Sequence, residues 1–223
     1  MARIRTNYIR AVASKYPNFL TQAEELSHEQ EIAQALADHY SAVIPYFSDM
    51  VTAQLKSGGR REIKRVMMTD FMRQFIAGNA LKKAKLIAQT DKADVQRQID
   101  LSIEEGIGVE ETARNIRKAS GLTPFRAATV ARTETHAAAS YGSIETVREQ
   151  ERELGIKVMK IWQSTFDDRT RDDHKAMNNV AVMSDEKFNV NGVLMDAPGD
   201  TTIDAPEQVI NCRCGLAYEV VDD

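Results

Sequence analysis

The sequence predicts an α+β protein: a mostly helical N-terminal part followed by a compact C-terminal α+β domain with a small antiparallel sheet. Three observations predict it. Gly and Pro are sparse and aromatic residues make up only 6% of the chain, a balance that leans towards helix. In the first half, apolar residues recur three and four apart, the period of an amphipathic helix. After Gly155 the texture changes to short apolar runs divided by turn residues, the pattern of strands.

In chain order, Thr21 to Glu24 and Ser27 to Gln30 both read as capping boxes. After Ser27, the residues Ile32, Leu36, Tyr40, Val43, Phe47, Val51 and Leu55 make one stripe on a helix of roughly 28–57. Pro45 should kink or divide it, and Ser57-Gly58-Gly59 should end it. A second helical stretch is expected from about Arg60, with Ile63, Met67, Phe71 and Phe75 as its stripe and a break at Gly78-Asn79. A third should run from about Lys92 to Glu105, and a short helix from Val109 to Arg117. Thr123 is a natural N-cap and Pro124 suits the first helical position of a long helix reaching about Leu154, with Gly155 at C′.

Ile156 to Ser164 reads as a strand carrying the single Trp162. Asp167 to Met177 reads as a charged loop and short helix. Asn191-Gly192 favours the type I′ turn of a hairpin, and Ala197 to Asp200 a type II turn. Val209 to Val220 reads as a final strand carrying both cysteines. The expected domains are a helical region 1–120, with a basic helix at about 56–88, and a C-terminal domain 121–223.

Bulk properties narrow the function classes. The chain has 223 residues, 43% hydrophobic and 28% charged, enough for a real core. No run of about 18 apolar residues occurs, so no membrane-spanning helix is expected. The charged N-terminus lacks an apolar stretch behind it, so no secretory signal is expected. Two cysteines one residue apart make no disulfide framework, which fits synthesis in a reducing cytoplasm. Residues 1–90 carry 13 Lys and Arg against 8 Asp and Glu, a net of +5, and the remainder carries a net of −9. The excess lies between Lys56 and Lys85, a block that can meet phosphate or an acidic protein surface or simply form a solvated face.

Four segments of the second half carry chemistry. In Ala131-Arg132-Thr133-Glu134, Arg132 and Glu134 are two apart and do not share a helix face. They read as an ion-pair or hydrogen-bond set locking the helix onto the sheet, with a catalytic Glu134 as the sharper alternative. The stretch from Trp162 to His174 holds four carboxylates, two guanidiniums and an imidazole. It could furnish a metal site or an acid–base pair, or simply a capped loop with its acids paired to Arg169 and Arg171. Pro198-Gly199-Asp200 reads as a turn. In Asn211-Cys212-Arg213-Cys214 a strand would project both thiols to one side, half of a tetrahedral zinc site. His174 would be the third ligand, and His136 or an Asp the fourth. The plainer reading buries the cysteines as small hydrophobes.

In order and content these segments resemble the Mu F-like family of phage minor head, or head morphogenesis, proteins. The resemblance rests on Ala131 to Glu134, Trp162 followed by Asp167 to His174, Asp185-Glu186-Lys187-Phe188, Pro198-Gly199-Asp200 and Ile210 to Cys214, with Gly108 to Arg117 upstream. It covers roughly residues 95–220. Asn178-Asn179 departs from the Asp-Gly-like turn common after the His loop, and His136 lies in a variable place; both weaken the claim to a fourth ligand. The resemblance implies a virion protein of a tailed bacteriophage, sited in the head interior or at the portal vertex, with the host cytoplasm as its place during assembly. Implied partners are the portal protein and other head proteins, with double-stranded DNA bound non-specifically; no membrane is expected as a resting partner. The implied role is head assembly and DNA delivery at ejection, not catalysis.

On that reading Arg60, Arg61, Lys64, Arg65, Lys82 and Lys83 are the expected contacts to DNA or portal. Arg132, Glu134, Asp167, Arg169 and Asp173 form an expected structural polar network. His174, Cys212 and Cys214 are the candidate metal ligands, with zinc the possible cofactor. The competing reading is a metal-dependent nuclease or other hydrolase using the Asp167–His174 loop and the two cysteines. With Cys214 nine residues from Asp223, no further effector domain is expected after it.

Overall fold

The computed structural model describes residues 1–57, 62–118 and 124–221. Long helices come first: α1 (Ala2–Lys15), α2 (Gln22–Ser57), α3 (Asp70–Glu104), α4 (Val109–Lys118) and α5 (Pro124–Leu154). Then follow β1 (Lys157–Gln163), α6 (Asp172–Ala176), β2 (Ala181–Met183), β3 (Phe188–Val190), β4 (Val193–Met195), α7 (Pro206–Val209) and β5 (Gly215–Val221). The fold is α+β, helical first and with a small antiparallel sheet near the end. No helix among the described residues is long and apolar enough to cross a membrane.

Packing divides the chain into two compact units, and the divisions fall inside α2, α3 and α5. The first unit comprises Met1–Asp38 and Ala77–Ala128, the second His39–Ile76 and Thr129–Asp223. A boundary at 120/121 falls among residues 119–123, outside the described residues, as do the expected N-cap Thr123 and the stop at Gly58-Gly59.

In the first unit, Tyr8, Ile9, Val12 and Ala13 of α1 pack with Val95 and Ile99 of α3 and Ile116 of α4. Thr21 and Glu24 form the predicted capping box: the Thr21 backbone N–H donates to Glu24 at 2.9 Å and the Glu24 N–H to the Thr21 hydroxyl at 3.4 Å. The second box, Ser27 to Gln30, lies inside α2 and ends nothing. Likewise α3 runs unbroken through Gly78-Asn79, because Asn79, Ala80 and Ala84 are buried and packing outweighs the local cost of one glycine.

The second unit holds the sheet, in the order β2-β1-β5 with both pairings antiparallel, and the hairpin β3-β4. Asn191 at φ 50° and Gly192 at φ 89° supply the left-handed pair that the tight turn needs. The period of two sets Val158, Lys160 and Trp162 of β1 on the buried side. Lys160 is fully buried there because its ammonium donates to the Asp196 carboxylate at 2.5 Å and carbonyl at 2.9 Å. Arg148 of α5 reaches the same carboxylate at 2.8 Å.

Two expectations are corrected here. No continuous basic helix spans 56–88: α2 ends at Ser57, residues 62–69 are not helical and α3 begins at Asp70. Ile63 is drawn into the core beside Val51, Leu55 and Ile144, and Gln150 takes over the Lys64 backbone, donating to its carbonyl at 2.7 Å and accepting from its N–H at 3.4 Å. Nor do the cysteines lie on the last strand. Pro206–Val209 turns helical, Asn211 adopts φ 58°, and β5 begins only at Gly215, after Cys214.

Candidate functional site

The chemistry-bearing residues of the second unit meet around His174. The short α6 carries this histidine, which is 1% exposed, and the Ser164 hydroxyl donates to its carbonyl at 2.5 Å. The segment between α7 and β5 carries the cysteines, and Thr133 of α5 holds that segment by accepting from the Asn211 N–H at 3.2 Å. Cys212 and Cys214 are buried, and each sulfur lies 3.6 Å from Nδ1 of His174. The three ligand atoms lie within 4.8 Å of one another. Around them is an apolar wall: the Trp162 ring stands edge-on to His174 with centroids 5.3 Å apart, and Met177, Phe188 and Val209 complete it.

The opposite side of the imidazole is polar. Nε2 of His174 lies 2.8 Å from the Gln208 side-chain oxygen, and the Gln208 amide donates to Asp173 at 2.7 Å. The Asp173 carboxylate accepts only, so the Gln208 NH2 must face it and the Gln208 oxygen must face the histidine. Nε2 therefore donates to the Gln208 oxygen, and Nδ1 faces the two sulfurs. The thiols are unequal. Cys212 is pushed up by its hydrogen bond to Cys214 and by burial. Cys214 is lowered to about 4, chiefly because the Cys212 thiol donates to it; burial opposes this and His174 assists.

The five residues expected to share one polar network do not do so. Glu134 is buried and turned to the Tyr40 hydroxyl, which donates to it at 2.5 Å. Asp167 pairs with Arg213, accepting from its second guanidinium nitrogen at 2.5 Å, and this hydrogen bond holds the carboxyl well below the usual range. Arg169 is exposed and stands 3.9 Å from Asp167, its backbone N–H capping that carboxylate at 2.9 Å. Arg132 is exposed, and Asp173 belongs with Gln208 and His174. Arg132 and Glu134, two apart on α5, differ in surroundings: the first is exposed and the second buried.

Reasoning from sequence missed Gln208, Arg213 and the role of Gly199. A lone Gln beside a Pro-Glu pair gives no signal; only the fold brings it to the imidazole. Gly199 has the left-handed φ, 73°, that the expected type II turn requires; what the sequence does not show is its neighbour. A Cβ there would run into the His136 ring, so the turn is glycine for space as well as for backbone. The Ser140 hydroxyl ties that turn to α5 by donating to the Pro198 carbonyl at 2.9 Å. Of the expected phosphate contacts, Arg60 and Arg61 lie outside the described residues. Lys64 and Arg65 are exposed in the second unit, Arg65 clamping Asp49 at 2.6 and 2.8 Å. Lys82 is exposed and Lys83 half-buried on α3 in the first unit.

The second unit is thus an α+β domain built around a buried thiol and imidazole centre. The chain belongs to the family described as Phage Mu protein F like protein, which it matches over residues 93–217. It is 32% identical over 150 residues to an NAD(+)--arginine ADP-ribosyltransferase EFV of Enterococcus faecalis, covering 66% of this chain and 30% of that protein. It is 24% identical over 139 residues to Minor head protein GP7 of Bacillus phage SPP1, covering 60% of this chain and 44% of that protein. The chain thus spans less than half the length of either relative. No solved structure matches it.

Proposed function

We propose that the chain is a minor head protein of a tailed bacteriophage, carried in the virion at the head interior or portal vertex and acting in head assembly and DNA delivery. The observation that carries this reading is the family match, which spans α4 to β5 and encloses every residue of the site. The similarity to a protein named Minor head protein GP7 supports it. So does the chemistry: Asp167 is neutralised by Arg213, and Asp173 and Gln208 are engaged with His174, which suits a scaffold better than a reaction centre. Portal and other head proteins are the proposed partners. Exposed Lys82 and half-buried Lys83 are the proposed phosphate contacts, with Lys64, whereas Arg65 is already matched by Asp49.

Mass spectrometry of purified virions tests the role: peptides of this chain at low copy support it, and their absence from virions and from assembling heads overturns it. DNA contact is tested separately by titrating duplexes of unrelated sequence at several salt concentrations. The Lys82→Glu, Lys83→Glu double variant should lower the salt slope by about 2. An unchanged slope removes these lysines from the interface.

A second reading is favoured by the ADP-ribosyltransferase-named relative, which would make the chain part of an enzyme. Transfer of label from NAD+ to an arginine-bearing acceptor by the purified chain would support it. The nuclease alternative would need His174 beside an open metal position, and phosphodiester cleavage by the zinc- or magnesium-supplemented chain is its test.

A further inference from the structure

The thiol and imidazole centre is built like a ligand set. In a tetrahedral zinc site with Zn–S near ~2.3 Å and Zn–N near ~2.0 Å, sulfur and nitrogen ligands stand roughly 3.5 Å apart. Both sulfurs here lie 3.6 Å from Nδ1 of His174. The imidazole is oriented as a metal needs, with Nδ1 towards the sulfurs, since Nε2–H donates to Gln208 and Asp173 orients that amide. This is the outer layer of hydrogen bonds that fixes metal-binding histidines.

The two sulfurs and the His174 nitrogen are the ligand atoms that already lie together; a fourth would have to come from a neighbouring side chain. His136 of α5 has its Nε2 buried with no hydrogen-bond partner among the described residues. Its ring lines one cleft together with Cys214 and another together with Cys212. The Gly199 turn packs against the Cδ2–Nε2 edge of the ring, so no hydrogen-bonding group fills that side. A buried ring nitrogen without a partner is costly unless something binds it. The surrounding elements also need a fastener: α6 has 5 residues, α7 has 4, and β2, β3 and β4 have 3 each. Elements that short hold few backbone hydrogen bonds and depend on side-chain crosslinks.

We propose that Cys212, Cys214, His174 and His136 form a closed structural site for a soft divalent ion, zinc, tying α6 and the segment before β5 to α5. Both cysteines bind as thiolates and both histidines as neutral rings, so loading releases any protons these groups still hold. With four protein ligands no position is left for substrate, and the metal stabilises the fold without catalysing a reaction.

The test uses the full untagged chain, reduced and kept folded as judged by circular dichroism. Elemental mass spectrometry should find about one zinc per chain, and cobalt(II) should give the visible spectrum of a tetrahedral thiolate site. A folded chain that holds no zinc and takes none up on titration overturns the proposal, as does a Cys212–Cys214 disulfide in freshly purified protein. His136→Ala should weaken zinc affinity and alter the cobalt spectrum; an unchanged spectrum overturns the closed four-ligand site. Gln208→Ala, which touches no sulfur, should weaken affinity roughly 10–100-fold. Equal affinity in that variant would remove the orienting role assigned to Gln208.

Discussion

Each unit of this protein buries a histidine, and the two are held by opposite chemistry. His28 of the first unit lies with Nε2 3.1 Å from Asp91 and stacks on Tyr8 with centroids 4.1 Å apart. Asp91 is paired at the same time with Arg5, which also reaches Asp94 at 2.9 Å, and Arg126 reaches Asp94 at 2.8 Å. His174 of the second unit meets an amide oxygen on one side and two sulfurs on the other. The first arrangement is a lock of hard charges paired with one another, although the buried Arg5 Nε has no partner among the described residues. The second is a ring fixed in orientation by an amide and facing soft sulfur atoms. The difference teaches that burial alone says little about a histidine; what lies on each ring nitrogen decides what the ring can do.

The largest expected effect breaks the lock. Asp91→Ala strands the buried Arg5 guanidinium and should cost about 3–5 kcal/mol in urea unfolding of the full chain. A loss under about 1 kcal/mol would show that Asp94 carries Arg5 by itself. Next comes Glu134→Ala, which removes the charged acceptor of the Tyr40 hydroxyl and should cost about 1.5–3 kcal/mol, with reduced virion incorporation. A fully stable, fully incorporated variant would reduce Glu134 to a bystander.

A subtler contrast uses hydrogen exchange. If the soft site holds metal, a chelator should loosen amides of α6, β1 and β5 while α1 and α4 keep their protection, because the charge lock contains no ligand to remove. Equal loosening in both units would erase the comparison. The smallest effect is electrostatic. Hydrogen bonding from Lys15, then from Thr21, lowers Glu24 from 4.5 to about 2. A depressed folded value means that stability is present above the unfolded value and lost as pH falls, here between about 4.5 and about 2. Glu24→Gln should flatten that part of the pH–stability curve, and an identical curve would show that the exposed pair contributes nothing measurable.

Much of this architecture was legible beforehand. The capping box at Thr21, the end of α5 at Gly155, the Asn191-Gly192 hairpin and the Pro198-Gly199 turn are local, and the structure uses each of them. The exceptions are equally specific. Residues 62–69 were expected to be helical from their stripe, yet Ile63 finds its partners in α2 and α5, and the Lys64 backbone is served by a glutamine 86 residues away. The spacing of the cysteines suggested two thiols on one side of a strand. The thiols do converge, but through a turn anchored by Thr133, with Asn211 left-handed.

By itself, then, the sequence determined the fold class, the family and the inventory of reactive side chains, because periodicity, turn residues and ordered motifs act over a few positions. Only the tertiary structure decided the pairings: Glu134 with Tyr40, Asp167 with Arg213, Gln208 with His174, and the two thiols with His174. Those partners lie 94, 46 and 34 residues apart in the first three cases. No local rule reaches that far; which polar groups meet is settled when the core closes and each buried group must find a partner.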